Sequence, residues 1–226
     1  MNTVFAPFIV IEGMDGSGKT TLTRRIEKAF ALMPDYRFVF TREPGGTPLA
    51  EAVRGILLDT DLSGNASGKT QLLGFFYARA HHLETIRKQR EQGFAVISDR
   101  FDGSTFAYQV YAQSDDTAEQ KELADLFWAL RTNIVCDENA PTLYLYLDLP
   151  PETAYFRRTV DASQEKNHYD TRSIGFYRRQ RDGYRNFFAK VARQDDSEVA
   201  FIDATLAEDE VFEEVFHIIR NHVRSC

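Results

Sequence analysis

The chain has 226 residues, 43% hydrophobic and 27% charged, with a formal charge of −7. That length suits one α/β domain with a full apolar core, residues 1–226, and the acidic balance argues against a dedicated nucleic-acid surface. Two cysteines, Cys136 and Cys226, have neither metal-site spacing nor the density of a disulfide scaffold, which fits a reducing cytoplasm, and no segment reads as an export signal or a membrane span.

In chain order, Phe8 to Ile11 reads as a buried strand. It leads into Gly13-Met14-Asp15-Gly16-Ser17-Gly18-Lys19-Thr20, a complete G-x-x-x-x-G-K-[ST] cradle placed where a first strand should turn into a first helix. Glycines let the backbone wrap phosphate oxygens with its N–H groups inward, and a helix starting near Lys19 adds its positive end. Lys19 would then reach the β- and γ-phosphates, and the Thr20 hydroxyl would ligate Mg²⁺. This predicts a phosphate-transferring enzyme of the P-loop kinase type.

Further short apolar runs follow at Phe38 to Phe40, Phe94 to Ile97, Leu143 to Leu147 and Val199 to Ile202, separated by segments of helical period. Continuous apolar runs indicate strands buried on both faces, so the expectation is a three-layer α/β sandwich around a five-stranded parallel sheet. A second SGKT at Ser67 to Thr70 does not follow a buried strand and reads as a helix start. Asp161 to Arg172 is polar and lies between helical patterns, either a solvated loop or a lid over a ligand, the lid spanning about 160–172. Val211, Val215, Ile218 or Ile219 and His222, with Phe212 and Phe216, predict a closing amphipathic helix.

Open parallel sheets bind ligands beyond the carboxyl ends of their strands. Thr41-Arg42-Glu43-Pro44-Gly45-Gly46-Thr47 follows the second strand and Ser98-Asp99-Arg100-Phe101 the third, with Phe75-Phe76-Tyr77-Ala78-Arg79 on a helix between them. Phe75 and Arg79 share one helix face, either toward a ligand or as a core ring beside a solvated arginine. Asp99 fits a carboxylate for Mg²⁺ or its water, or else a helix cap. Arg54 and Arg100 suit a phosphate clamp or structural ion pairs.

At these residues the chain resembles the thymidylate kinase family, from residue 8 to about residue 205. REPGGT followed by Leu49-Ala50-Glu51 and Arg54 is similar to that family's signature. DRF with Ser104-Thr105 and Ala107-Tyr108-Gln109 is similar to its D-R-[YFH]…S-T…A-Y-Q segment, and Ile202-Asp203-Ala204-Thr205 to its last strand end. The resemblance implies a homodimer that moves the γ-phosphoryl group of ATP to thymidine monophosphate (dTMP). It places Phe75 against thymine, Arg79 on the O4 edge and Gln109 on the N3 edge. Arg54, Arg100 and Ser104 then hold the acceptor, Asp15 lies near the 3′-hydroxyl, and Glu43 acts through the metal or water network. In one respect the pattern departs from part of the family: Gly16 and Ser17 stand where some relatives place a further basic residue inside the cradle, so the lid must supply arginine. Arg157 matches best, with Arg158 and Arg172 as further candidates. An arginine touching the transferring group is worth on the order of a thousandfold in rate.

Overall fold

A computed structural model describes residues 5–160 and 173–225. Five strands, β1 (Phe8–Gly13), β2 (Phe38–Arg42), β3 (Ala95–Asp99), β4 (Leu143–Asp148) and β5 (Glu198–Asp203), form one sheet in the order β2-β3-β1-β4-β5. Every pairing is parallel. Each strand lies within a residue or two of its predicted run, and pairing carries β1 on to Gly13, opposite Leu147.

Burial on both faces holds for β1, β3 and β4, which have strand neighbours on each side. It fails for β2 and β5: β2 is only partly buried, and Phe201 of β5 is 54% exposed. These two are the sheet edges, where one neighbour is missing and helices cover less of the strand. The predicted apolar runs marked the right segments but overstated the cover at the margins.

Helices α1 (Lys19–Ala31), α2 (Pro48–Leu58), the single turn α3 (Thr60–Ser63) and α4 (Gly68–Glu91) lie between the first strands. The second SGKT is indeed a helix start: the Ser67 hydroxyl accepts from the Thr70 N–H at 3.2 Å, and Lys69 pairs with Glu122. After β3 come the short α5 (Asp102–Thr105), a π-helix at Phe106–Ala112, and α6 (Thr117–Ile134). Then follow α7 (Pro151–Val160), α8 (Ile174–Gln194) and the closing helix α9 (Glu208–Ser225), which buries Val211, Val215, Ile219 and His222. The helices α1 and α9 pack together on one side of the sheet; α4, α6, α8 and the π-helix pack together on the other. The lid expected near 160–172, with Arg172, lies outside the described residues. Among the described residues no helix is long and apolar enough to cross a membrane.

This arrangement positions a crevice. The chain leaves β1 toward the β2 edge and leaves β3 toward the β4 side, so the loops diverge beyond adjacent carboxyl ends. Register aligns Ile11 with Asp99, which puts the start of the cradle beside the end of β3.

Behind the crevice, α6 is tied to the α5 turn by buried charge. Arg131 donates to Asp102 at 2.7 Å and to Asp195 at 2.5 Å, while the Tyr144 hydroxyl donates to the other Asp102 oxygen at 2.8 Å. Asp102 is fully buried, so removing the cation strands its charge. The Arg131→Ala variant is expected to lose about 3–5 kcal/mol of unfolding free energy in urea titration. A loss below about 1 kcal/mol would mean that the pair does not hold this layer together.

Candidate active site

The loop after β1 is shaped by two glycines. Gly13 has φ +154°, and a Cβ there would lie 2.7 Å from the Ser17 hydroxyl and 3.0 Å from the Leu147 carbonyl. Gly16 has φ +83°, and its Cβ would meet the Ala154 carbonyl of α7 at 2.9 Å. A basic side chain at position 16 would therefore be strained and would collide with α7. The same closeness brings in another cation: the Arg157 guanidinium, on α7, donates to the Gly16 carbonyl at 3.3 Å.

Lys19 begins α1 and is almost wholly buried. Its ammonium donates to the Met14 carbonyl at 2.8 Å and reaches the Ser17 hydroxyl at 3.4 Å. Burial, reinforced by the Arg100 charge, lowers its pKa to about 8. The cation is thus held in place, poorly compensated, where an anion would relieve it.

The cleft beyond the sheet has a volume of about 1260 Å³. A pocket for one small molecule occupies roughly 300–1,000 Å³, so this one has room for two nucleotides. Asp15, Gly16, Ser17, Gly18, Lys19 and Thr20 line it, as do Arg157 and Arg158. Of the eight cradle positions, Gly13 and Met14 do not. Gly13 lies beneath the cleft as a carbonyl acceptor, and the Met14 side chain is fully buried in the core. Their roles are to shape the loop from below.

The acceptor-side residues come together on the same cleft. Glu43, Arg54, Phe75, Arg79, Asp99, Arg100, Ser104 and Gln109 all line it. Arg79 is 2% exposed, which excludes the solvated arginine. Its Nε donates to Glu43 at 2.8 Å and one Nη to Thr105 at 2.8 Å, while Nη1 has no hydrogen-bond partner. Phe75 also departs from the core reading: its neighbour Phe76 joins the apolar core, whereas Phe75 lies on the cleft wall. Both Glu43 oxygens are engaged, the second by His82 at 2.9 Å, and His82 meets the Thr41 hydroxyl at 2.8 Å. Glu43 thus holds Arg79 on one oxygen and His82 on the other while lining the cleft. Arg54 donates to the Pro44 carbonyl at 2.8 Å, and burial lowers its pKa.

Arg100 sits in a left-handed turn, φ +71°, directly after Asp99. One end of its guanidinium bonds the Gly13 carbonyl at 3.1 Å and the Ser104 hydroxyl at 3.0 Å; the other pairs with Asp15. Burial alone would loosen the Arg100 proton, but Tyr108 and Asp15 beside it hold it well above the ordinary arginine range. Burial would likewise raise Asp15; the charges of Arg100 and Lys19 and a 2.7 Å bond from the Tyr108 hydroxyl bring it below the usual carboxylate value.

Asp99 is not a helix cap, since Phe101 precedes α5. Its Oδ1 is buried without a hydrogen-bond partner, an arrangement that fits a cation or a metal-bound water. No cluster of three metal-ligating side chains occurs among the described residues. That suits Mg²⁺, which keeps waters and phosphate oxygens and takes few protein ligands; Asp99 and Thr20 would supply them.

Arg158, a candidate from the sequence, is buried near Asp15. Several other participants escape the sequence reading, Tyr108 among them, which there is only one letter of a motif. Glu12 is fully buried beneath Arg100, held by Ser104 and Phe101, and burial raises its pKa. Its one sequence signal was a carboxylate inside the apolar run FIVIE. His82 and Tyr184 gave no local signal.

Residues 11–215 match a family model described as thymidylate kinase. Among curated relatives, the thymidylate kinase of Syntrophotalea carbinolica is 35% identical over 209 residues, covering 90% of each chain. That of Mesoplasma florum is 37% identical over 94% of each chain, and that of a Marinomonas species 38% identical over 88% of this chain and 86% of its own. The chain belongs to the thymidylate kinase family, enzymes that phosphorylate dTMP to dTDP with ATP as donor.

Proposed function

We propose that this chain works as a single domain in which Lys19 and the cradle hold the phosphates of ATP while the Arg79 side of the cleft holds dTMP. The observation that carries the reading is Arg79: a buried guanidinium on the cleft wall, fixed by Glu43 and Thr105, with Nη1 left unpartnered in a cleft that Phe75 and Gln109 also line. A pyrimidine carbonyl would complete it. A 5′-phosphate oxygen of dTMP attacks the γ-phosphorus of ATP in line, the bond to the β-γ bridging oxygen breaks, and ADP and dTDP leave. The attacking phosphate is already ionised at neutral pH, so positioning and charge neutralisation dominate over proton transfer. Mg²⁺, when bound, would neutralise polyphosphate charge beside Thr20 and Asp99. The product feeds dTTP supply for DNA synthesis, which places the enzyme with the cytoplasmic nucleotide pool.

The deciding experiment assays dTMP, dUMP, dCMP and dGMP side by side with ATP and Mg²⁺. The expected outcome is highest kcat/KM for dTMP, with dUMP lower by the roughly 10–200-fold that one methyl group can supply. Equal or better turnover of a purine monophosphate would sink the thymine assignment. In the same assay Arg157→Ala is expected to cut kcat by about a hundredfold or more while dTMP affinity changes little. Near-normal turnover would take Arg157 out of the reaction.

Lys19 offers a binding test. Its pKa of about 8 without ligand should rise when phosphates surround it, so above pH 8 ATP binding should take up a proton and weaken as pH increases. At pH about 9, calorimetry in two buffers of different ionisation enthalpy should record that uptake, and Lys19→Met should abolish it. Uptake of equal size in the variant would assign it to another group.

The homodimer is part of the same proposal. Leu49 and Ile56 of α2 and Leu73 and Tyr77 of α4 are apolar yet at least 39% exposed, on two helices packed side by side. Light scattering is expected to give twice the 25.9 kDa chain mass, falling to a monomer in Leu73→Glu. A monomeric parent protein would overturn it.

A further inference from the structure

Glu12 stands where nothing in the strand calls for charge. Its neighbours Phe8 to Ile11 are fully buried, and so is Glu12. A buried carboxylate is costly unless several donors satisfy it, and an apolar residue would fill a central strand at no such cost. Glu12 does not line the cleft, so it does not touch a ligand. Its donors all belong to one segment and one tyrosine. Oε1 accepts from the Phe101 N–H at 2.9 Å and the Ser104 N–H at 3.0 Å; Oε2 accepts from the Ser104 hydroxyl at 2.5 Å and lies 3.4 Å from the Tyr184 hydroxyl.

These bonds bracket Arg100. A non-glycine residue in the left-handed region is strained and persists only where surrounding structure over-determines it. The Arg100 N–H bonds the Ile11 carbonyl at 2.9 Å, and its carbonyl accepts from Ser98 at 2.8 Å. Glu12 then anchors the next residues. Gly103 permits the close approach, since a Cβ there would lie 3.1 Å from Glu12 Oε1. Ser104 completes a relay, donating to Glu12 and accepting from the Arg100 guanidinium at 3.0 Å.

We propose that Glu12 is a positioning residue for phosphoryl transfer, which acts through the Phe101–Ser104 backbone and the Ser104 hydroxyl to fix the turn and guanidinium of Arg100. The role rests on the reading that Arg100 clamps the acceptor phosphate. Glu12 spans the two halves of the site, because its own strand ends in the ATP cradle while its oxygens hold the acceptor arm.

The test measures kcat, KM for dTMP and KM for ATP, with thermal melting as a check of folding. Glu12→Ala is expected to lower kcat by about a hundredfold, as for misplacement of a positioning group, with ATP KM within about twofold of the parent. Glu12→Gln keeps an oxygen for the two N–H groups and turns its NH2 on the Ser104 hydroxyl, which then accepts there and donates to Tyr184 instead, so it should stay within about fivefold. In an Arg100→Ala background, Glu12→Ala should cost less than about twofold more, because its route of action is gone.

A folded Glu12→Ala with kcat near the parent value would overturn the role, and so would a Gln variant as damaged as Ala or full additivity with Arg100→Ala. If Glu12→Ala does not fold, Glu12→Asp carries the test. Its carboxylate is one methylene too short, and a folded Asp variant with parental kcat would equally overturn the proposal. Unimpaired dTMP turnover in Arg100→Ala alone would sink the acceptor-clamp reading instead, and the two failures are distinguishable.

Discussion

The constraint on which the site depends is the holding of Lys19 and Arg100 together at the end of a buried sheet. Each opposes the other's charge, and burial removes the water that would screen them. The protein answers with carboxylates placed around them: Asp15 against Arg100, Asp99 near Lys19, Glu12 beneath both. The compensation is uneven. Arg100 is more than satisfied, whereas Lys19 is held so that it gives up its proton more easily. An arriving polyphosphate therefore finds its strongest reward at Lys19, and the cleft is arranged before the ligand comes, which is where electrostatic catalysis gains most.

The same logic separates the two halves of the cleft. On the acceptor side the arginines are tied down: Arg79 by Glu43 and Thr105, Arg54 by the Pro44 carbonyl, Arg100 by the Gly13 carbonyl, Ser104, Tyr184 and Asp15. Behind Arg79 stands a second layer, since Glu43 is itself gripped by His82 and His82 meets Thr41. Such layers fix guanidinium planes, which matters where a fork must match phosphate oxygens or a base edge. On the donor side Arg157 is exposed, and among the described residues its guanidinium meets the Gly16 carbonyl at 3.3 Å. The arginines that would recognise are held by layered partners, and Arg157 faces the cleft from an exposed position on α7.

Much of this was legible in the sequence, and what was not had physical reasons. Central strands declare themselves because burial on both faces leaves long apolar runs; β2 and β5 were found by the same signal although their cover is thinner. The cradle was legible because strand, glycines, lysine and helix are contiguous. The Phe75–Arg79 pair was ambiguous, since its helix face could serve a core or a ligand, and only the partners of Arg79 decide that. Those partners lie 36 and 26 residues away. Glu12 is missed because the donors that give it meaning lie 89 and 92 positions downstream. The π-helix at Phe106–Ala112 was not visible at all. Its wider turn leaves no distinct apolar period, and it carries Tyr108 and Gln109 onto the site.

Packing explains why position 16 of the cradle carries no basic side chain to join Lys19. Gly16 combines a left-handed φ with the Ala154 carbonyl at its back, so a long side chain there would strain the loop and push α7 away. The contact that bars a cation from the loop is made by the helix that supplies Arg157 and Arg158. Displacing α7 to admit a cradle lysine would remove two arginines from the rim of the cleft, and keeping α7 in place makes a glycine at position 16 necessary. The two sources of positive charge compete for the same space, and in this chain the packing of α7 on the loop decides between them.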